Sequence, residues 1–95
     1  MLTHVVLLKL TDRSAENINK TRDVLLSMVG KIPQIKHMEV GVNIVPSDRA
    51  YDLALVQKFE SLAAMQEYQT HPVHLPVRDY LRSVLAAQAS VDYQD

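Results

Sequence analysis

From Leu2 to Leu10 nearly every residue is apolar and rich in valine and leucine, which predicts a strand. Thr11-Asp12-Arg13 is polar and turns the chain. Ser14 suits the N-cap of a helix running to about Val29, because its hydroxyl can accept an amide left free in the first turn. Ile18, Leu25, Met28, Val29 and Ile32 recur at helical spacing, with Val24 beside them. Gly30 ends that helix, since glycine takes up the left-handed conformation at a C-terminus, and Pro33 keeps it from restarting. Ile35 to Val45 reads as a second strand with Met38, Val40, Val42 and Ile44 on one face, and Gly41 within it suggests a bulge or a close backbone approach. Pro46-Ser47-Asp48-Arg49 is a turn, so Tyr51 to Glu60 is expected as the antiparallel hairpin partner of the second strand.

Ser61 caps a short helix through Leu62, Met65 and Tyr68. Pro72 and Pro76 cannot both occupy a first helical position. A kinked turn at His71–Pro72 is expected, then a helix from about Leu75 with Pro76 in its first turn. That helix would bury Val77, Tyr80, Leu81, Val84 and Leu85, and Ala87 to Tyr93 would be the last strand. The order is βαββαβ, an α+β domain with a four-stranded antiparallel sheet and its helices on one face.

The strands are apolar on both faces. Leu2, His4, Val6, Leu8 and Leu10 share one face of the first strand; Thr3, Val5, Leu7 and Lys9 share the other. The third strand places Tyr51, Leu53, Leu55 and Phe59 against Ala54 and Val56. An antiparallel sheet with one wet face should alternate apolar and polar residues. Two or three helices cover one face only, so the other face would leave an apolar patch in water. The simplest cover is a second copy of the same sheet, which predicts a homodimer through the sheet.

Composition supports this picture. At 95 residues the chain is one domain, residues 1–95, small enough to need added stabilisation, and with no cysteine it has neither disulfides nor thiolate metal sites. Ten basic and eleven acidic residues give a net charge of −1, and they are scattered. That predicts no nucleic-acid partner and no polybasic membrane surface. No apolar run reaches the roughly 20 residues of a membrane span. No signal peptide is read at Met1-Leu2-Thr3-His4, so the expected location is cytoplasmic.

Four side chains could carry chemistry. His4 interrupts an apolar strand face, as a pocket base or as a satisfied core histidine. His71 and His74 flank Pro72. Two histidines three apart could ligate a metal with a third group nearby, but the proline breaks the helical face that would aim both, so no metal site is expected. A turn-capping imidazole is the structural alternative for His71. Tyr68 lies about one helical turn earlier, and its phenol joins an apolar body to one polar tip.

The chain resembles the stress-responsive A/B barrel domain (Dabb) family. The likeness runs nearly end to end. It includes His4-Val5-Val6-Leu7-Leu8-Lys9, Ile32-Pro33, Glu39-Val40-Gly41, Asp52-Leu53-Ala54-Leu55, Phe59-Glu60-Ser61, Tyr68 through His74, and Val91-Asp92-Tyr93. The resemblance implies a ferredoxin-like βαββαβ protomer, a dimeric α/β barrel and a stress-associated role, with no assigned reaction for most members. It also places His74 opposite His4. Enzymatic members are plant polyketide cyclases, which close a ring by aldol-type condensation. That chemistry needs a base for a carbon beside a carbonyl and a donor for the enolate. The resemblance assigns the base role to His74 and hydrogen-bonding roles to His4 and Tyr68; His71, beside them in the sequence, is a further candidate ligand contact. It departs from the cyclases at Leu25, where alignment through Ile32-Pro33 places their tyrosine. The expectation is therefore a homodimer that binds a small apolar or aromatic molecule. A cofactor-independent cyclase-like enzyme is the alternative. A dimeric-barrel monooxygenase is a third reading, although no motif requires haem or flavin and no cofactor is expected. Asp92 and Tyr93 are read as structural, and Arg78 and Asp79 as solvated or interface groups. If His4 and the His71–His74 turn converge, the His4 face meets the chain's own helices and the Val5/Leu7 face meets the partner.

Overall fold

Ser14 and Ser61 open the first two helices by the same device. Each hydroxyl accepts the amide N–H three residues on, from Asn17 at 3.3 Å and from Ala64 at 3.1 Å. The computed structural model describes residues 1–95. Its elements are β1 (Leu2–Leu10), α1 (Ala15–Leu26), β2 (His37–Val42), β3 (Leu53–Phe59), α2 (Leu62–Gln69), α3 (His74–Val84) and β4 (Leu85–Gln94). The fold is ferredoxin-like, with one antiparallel sheet in the order β2-β3-β1-β4. No helix is long and apolar enough to cross a membrane.

Register decides which side chains meet the helices. Leu2, Leu8 and Leu10 of β1 and Leu53, Leu55 and Phe59 of β3 are buried in one core with Leu25, Met28, Ile32, Met65, Tyr68 and Val77. His4 lies on this same face, as expected. On the opposite face Val5 stands between Val56 and Val91, and Leu7 between Ala54 and Ala89. There Leu7 is 37%, Val91 56% and Tyr93 50% exposed, so the second apolar face is bare in the single chain.

Asp52 locks the end of this scaffold. Its buried carboxylate accepts the Leu10 N–H at 2.8 Å and the Arg13 Nε–H at 2.9 Å, and Arg13 also donates to the Ala50 carbonyl. The loop after β2 is thereby tied to the turn before α1.

The structure corrects several expected boundaries. α1 ends at Leu26, not near Val29, because the Met28 and Val29 amides turn back to carbonyls three residues earlier and tighten the chain. Met28 and Ile32 still reach the core, whereas Val29 faces water. Gly30 has φ 77° but lies four residues past the end of α1, so it closes the turn that follows and is not the cap of the helix. β2 is shorter than expected: Asn43 bonds the Val45 carbonyl through its own side chain, and Ile44 is 89% exposed. Gly41 marks neither a bulge nor a close approach, since β2 and β3 pair regularly and nothing lies within 4 Å of a Cβ built there. The register shift is at Lys9/Leu10 against β4 instead. Of the expected α3 stripe only Val77 is fully buried; Tyr80, Leu81, Val84 and Leu85 are half-buried.

Candidate functional site

A cavity of about 450 Å3 opens between the sheet and the helices. His4, Tyr68 and His74 all line it. Leu25 of α1 lines it as well and makes that part of the wall apolar. Ten of the seventeen lining residues are hydrophobic, and the volume lies within the usual range of small-molecule sites, roughly 300–1,000 Å3.

The three groups reach the cavity from different elements. His4 comes from β1, Tyr68 from the last turn of α2 and His74 from the first residue of α3. The break at Thr70–Val73 separates α2 from α3. His71 serves that break: its Nδ1 accepts the Val73 N–H at 3.0 Å, and its side chain does not line the cavity. Its placement matches the turn-capping alternative. No group of three or more His, Cys, Asp or Glu side chains is set to hold a metal.

A ladder of rings joins the site. His4 meets the edge of Phe59 with centroids 6.4 Å apart, Phe59 meets Tyr68 at 5.1 Å, and Tyr68 meets His74 at 4.3 Å. Aromatic pairs at such separations add to plain burial, so Phe59, at 0% exposure, fixes both neighbours.

His74 Nδ1 lies 3.0 Å from the Gln69 carbonyl, which has no proton to give. Nδ1 must therefore be the protonated nitrogen, and Nε2 keeps its lone pair. Burial lowers the His74 pKa below 6.5; the charges of Arg78, His4 and His71 add to this, against a rise from the Gln69 carbonyl. The imidazole is held as a neutral base. Burial raises the pKa of Tyr68 above 10, against a smaller lowering from Gln57, so the phenol stays a donor.

Three contributors were missed or misassigned in the sequence. Asp92 pairs through its carboxylate with Nδ1 of His4, its register partner across β1 and β4. The carboxylate orients the imidazole and leaves Nε2 free. The signal was a lone acid on the inward side of β4, readable only once register is known. Gln57 is buried below Tyr68 with Oε1 unpartnered, an isolated polar residue in an otherwise apolar row. Arg78 was expected to be solvated or at an interface, yet it lines the cavity one turn after His74.

The sequence pattern of the stress responsive A/B barrel domain matches residues 2–95. No curated protein matches the chain. Among solved structures, a dimeric protein of unknown function and ferredoxin-like fold from Bacteroides fragilis is 29% identical, with a TM-score of 0.83 over 99% of this chain and 95% of that one. A Dabb family protein from Mesorhizobium loti is 25% identical, with a TM-score of 0.81 over 99% and 95%. The hydroxynitrile lyase of Passiflora edulis shares the fold at 15% identity, with a TM-score of 0.83 over 97% and 90%.

Proposed function

Because the chain belongs to the stress responsive A/B barrel domain family, we propose that it is a homodimer whose protomers each bind a small, largely apolar carbonyl compound and move a proton on it. The observation that carries this reading is the tautomer of His74. Its Nδ1–H is committed to Gln69, and its basic Nε2 belongs to a ring lining a mainly apolar cavity.

In this reading Nε2 takes a proton from a carbon beside the carbonyl. The C–H pair moves into the C–C bond, and the carbonyl π pair moves onto oxygen. Tyr68 donates its O–H to that oxygen, and His4, whose Nδ1–H is given to Asp92, leaves Nε2 as an acceptor for a donor group elsewhere on the ligand. If the molecule carries a second carbonyl in reach, the enolate carbon attacks it and a ring closes. The new alkoxide then recovers the proton from His74. This aldol-type step is the cyclase-like form of the proposal. Leu25 in place of a phenol favours a substrate with fewer hydroxyl groups than a pocket with a tyrosine there would select.

The direct test uses butyrophenone, an uncharged aryl ketone, in D2O. Proton NMR should show its α-hydrogens exchanging faster with the protein than with equimolar imidazole at the same pH. Exchange no faster than with imidazole would remove the proton-transfer reading.

The assembly follows from the bare sheet face. Val5, Leu7, Val56 and Val91 form an apolar surface that a second sheet would bury, and solved relatives are described as dimeric. Sedimentation equilibrium of the wild-type protein at micromolar concentration should give twice the 10.7 kDa chain mass. Leu7→Asp, which places a charge in that surface, should give the single-chain mass. A monomeric wild type would contradict the dimer.

A further inference from the structure

The chain as a whole carries a net charge of −1, but its cavity does not share that balance. Two arginines line it, Arg78 and Arg82, and no aspartate or glutamate does. Neither arginine is paired with a carboxylate anywhere in the chain. Arg78 Nε is buried and has no hydrogen-bond partner. A buried guanidinium donor left unpaired is costly, and native structures normally supply it with an acceptor.

α3 sets the spacing. His74, Arg78 and Arg82 are four residues apart in turn, so they lie along one side of the helix. Each step advances about 6 Å along the axis, at roughly 1.5 Å per residue. The base thus stands at one end of a row and positive charge follows it. The other polar groups of the wall, including Gln69, Gln88 and Ser90, are neutral.

We propose that the cavity takes an anionic ligand, an apolar or aromatic molecule bearing a carboxylate that pairs with Arg78, with Arg82 nearer the mouth. This rests on the reading of the cavity as a ligand site. A carboxylate matches the planar guanidinium and can pair with the Nη–H groups of Arg78, a residue of the cavity wall. A mainly apolar cavity of this size leaves the rest of the ligand uncharged. The carboxylate stands about one helical turn from the carbon whose proton His74 removes, so the substrate class is a keto acid with an apolar body.

Calorimetric titration of the purified protein with benzoylbutyrate and with its primary amide tests this. The two share an aryl ketone body and differ in charge. The wild type should bind the carboxylate about tenfold or more tightly than the amide, the gain expected of a charge-assisted hydrogen bond. Arg78→Leu should bring the two affinities together by weakening the carboxylate more than the amide, and Arg78→Gln should do the same with a polar head retained. Equal binding of the pair by wild-type protein would overturn the anion assignment and leave the cavity reading standing. No binding of either compound would overturn both. A preference that survives in both Arg78 variants would remove Arg78 from the role. The corresponding phosphonate binding more tightly than the carboxylate would overturn the choice of carboxylate.

Discussion

His74→Ala is expected to slow the protein-dependent exchange of butyrophenone α-hydrogens by about 10²–10⁴-fold, the usual contribution of a positioned general base. The effect should be large because the one other imidazole lining the cavity, His4, stands on β1 and not at the first residue of α3. His4 has Nδ1 engaged by Asp92, and burial keeps Tyr68 protonated. Neither stands where His74 does, at the first residue of α3. The fold should survive: His74 makes one side-chain hydrogen bond, to the Gln69 carbonyl, and is only half-buried. Circular dichroism should therefore match the wild type while exchange falls to the background rate. Exchange within a factor of a few of wild type would show that His74 is not the base.

Phe59→Ala is expected to cost about 3–5 kcal/mol, the range for emptying a phenylalanine from a packed core. The ring is 0% exposed and sits between His4 and Tyr68. Small domains have net stabilities of about 5–15 kcal/mol, so this one change removes much of the margin. Urea denaturation should show the midpoint falling with little change in slope. A loss below about 1 kcal/mol would mean that Phe59 does not fill the centre of this core. The same variant should loosen Tyr68 and His4, so the proton-exchange rate should fall even where the protein remains folded.

The sequence made most of the fold legible because binary patterning and helix punctuation agree. Ser14 and Ser61 act where their chemistry places them, and the second and third strands pair as an antiparallel hairpin as expected. Boundaries were less legible. Val29 and Ile44 keep the apolar period past the ends of their elements, and local hydrogen bonds end the regular structure before the pattern does. The site was half visible. His4, Tyr68 and His74 could be grouped because the likeness to a family joined them. Asp92, Gln57 and Arg78 could not, because each owes its position to register or helix phase, which a linear reading leaves free. Arg78 and Asp79 are adjacent and polar, but α3 turns only Arg78 into the cavity.

The proposed chemistry needs one imidazole that is neutral, with its proton on Nδ1. Two-dimensional NMR of the histidine ring nitrogens through a pH titration tests this without any substrate. His74 should show the Nδ1–H tautomer at neutral pH and titrate below 6.5, because burial disfavours its charged form. The linkage has a definite sign. A histidine depressed in the folded state binds its proton first in the unfolded state, so its stabilising contribution is complete above 6.5 and is lost as pH falls through the folded value. An Nε2–H tautomer, or a titration at 6.5 or above, would contradict the assignment of His74 as the base of this site.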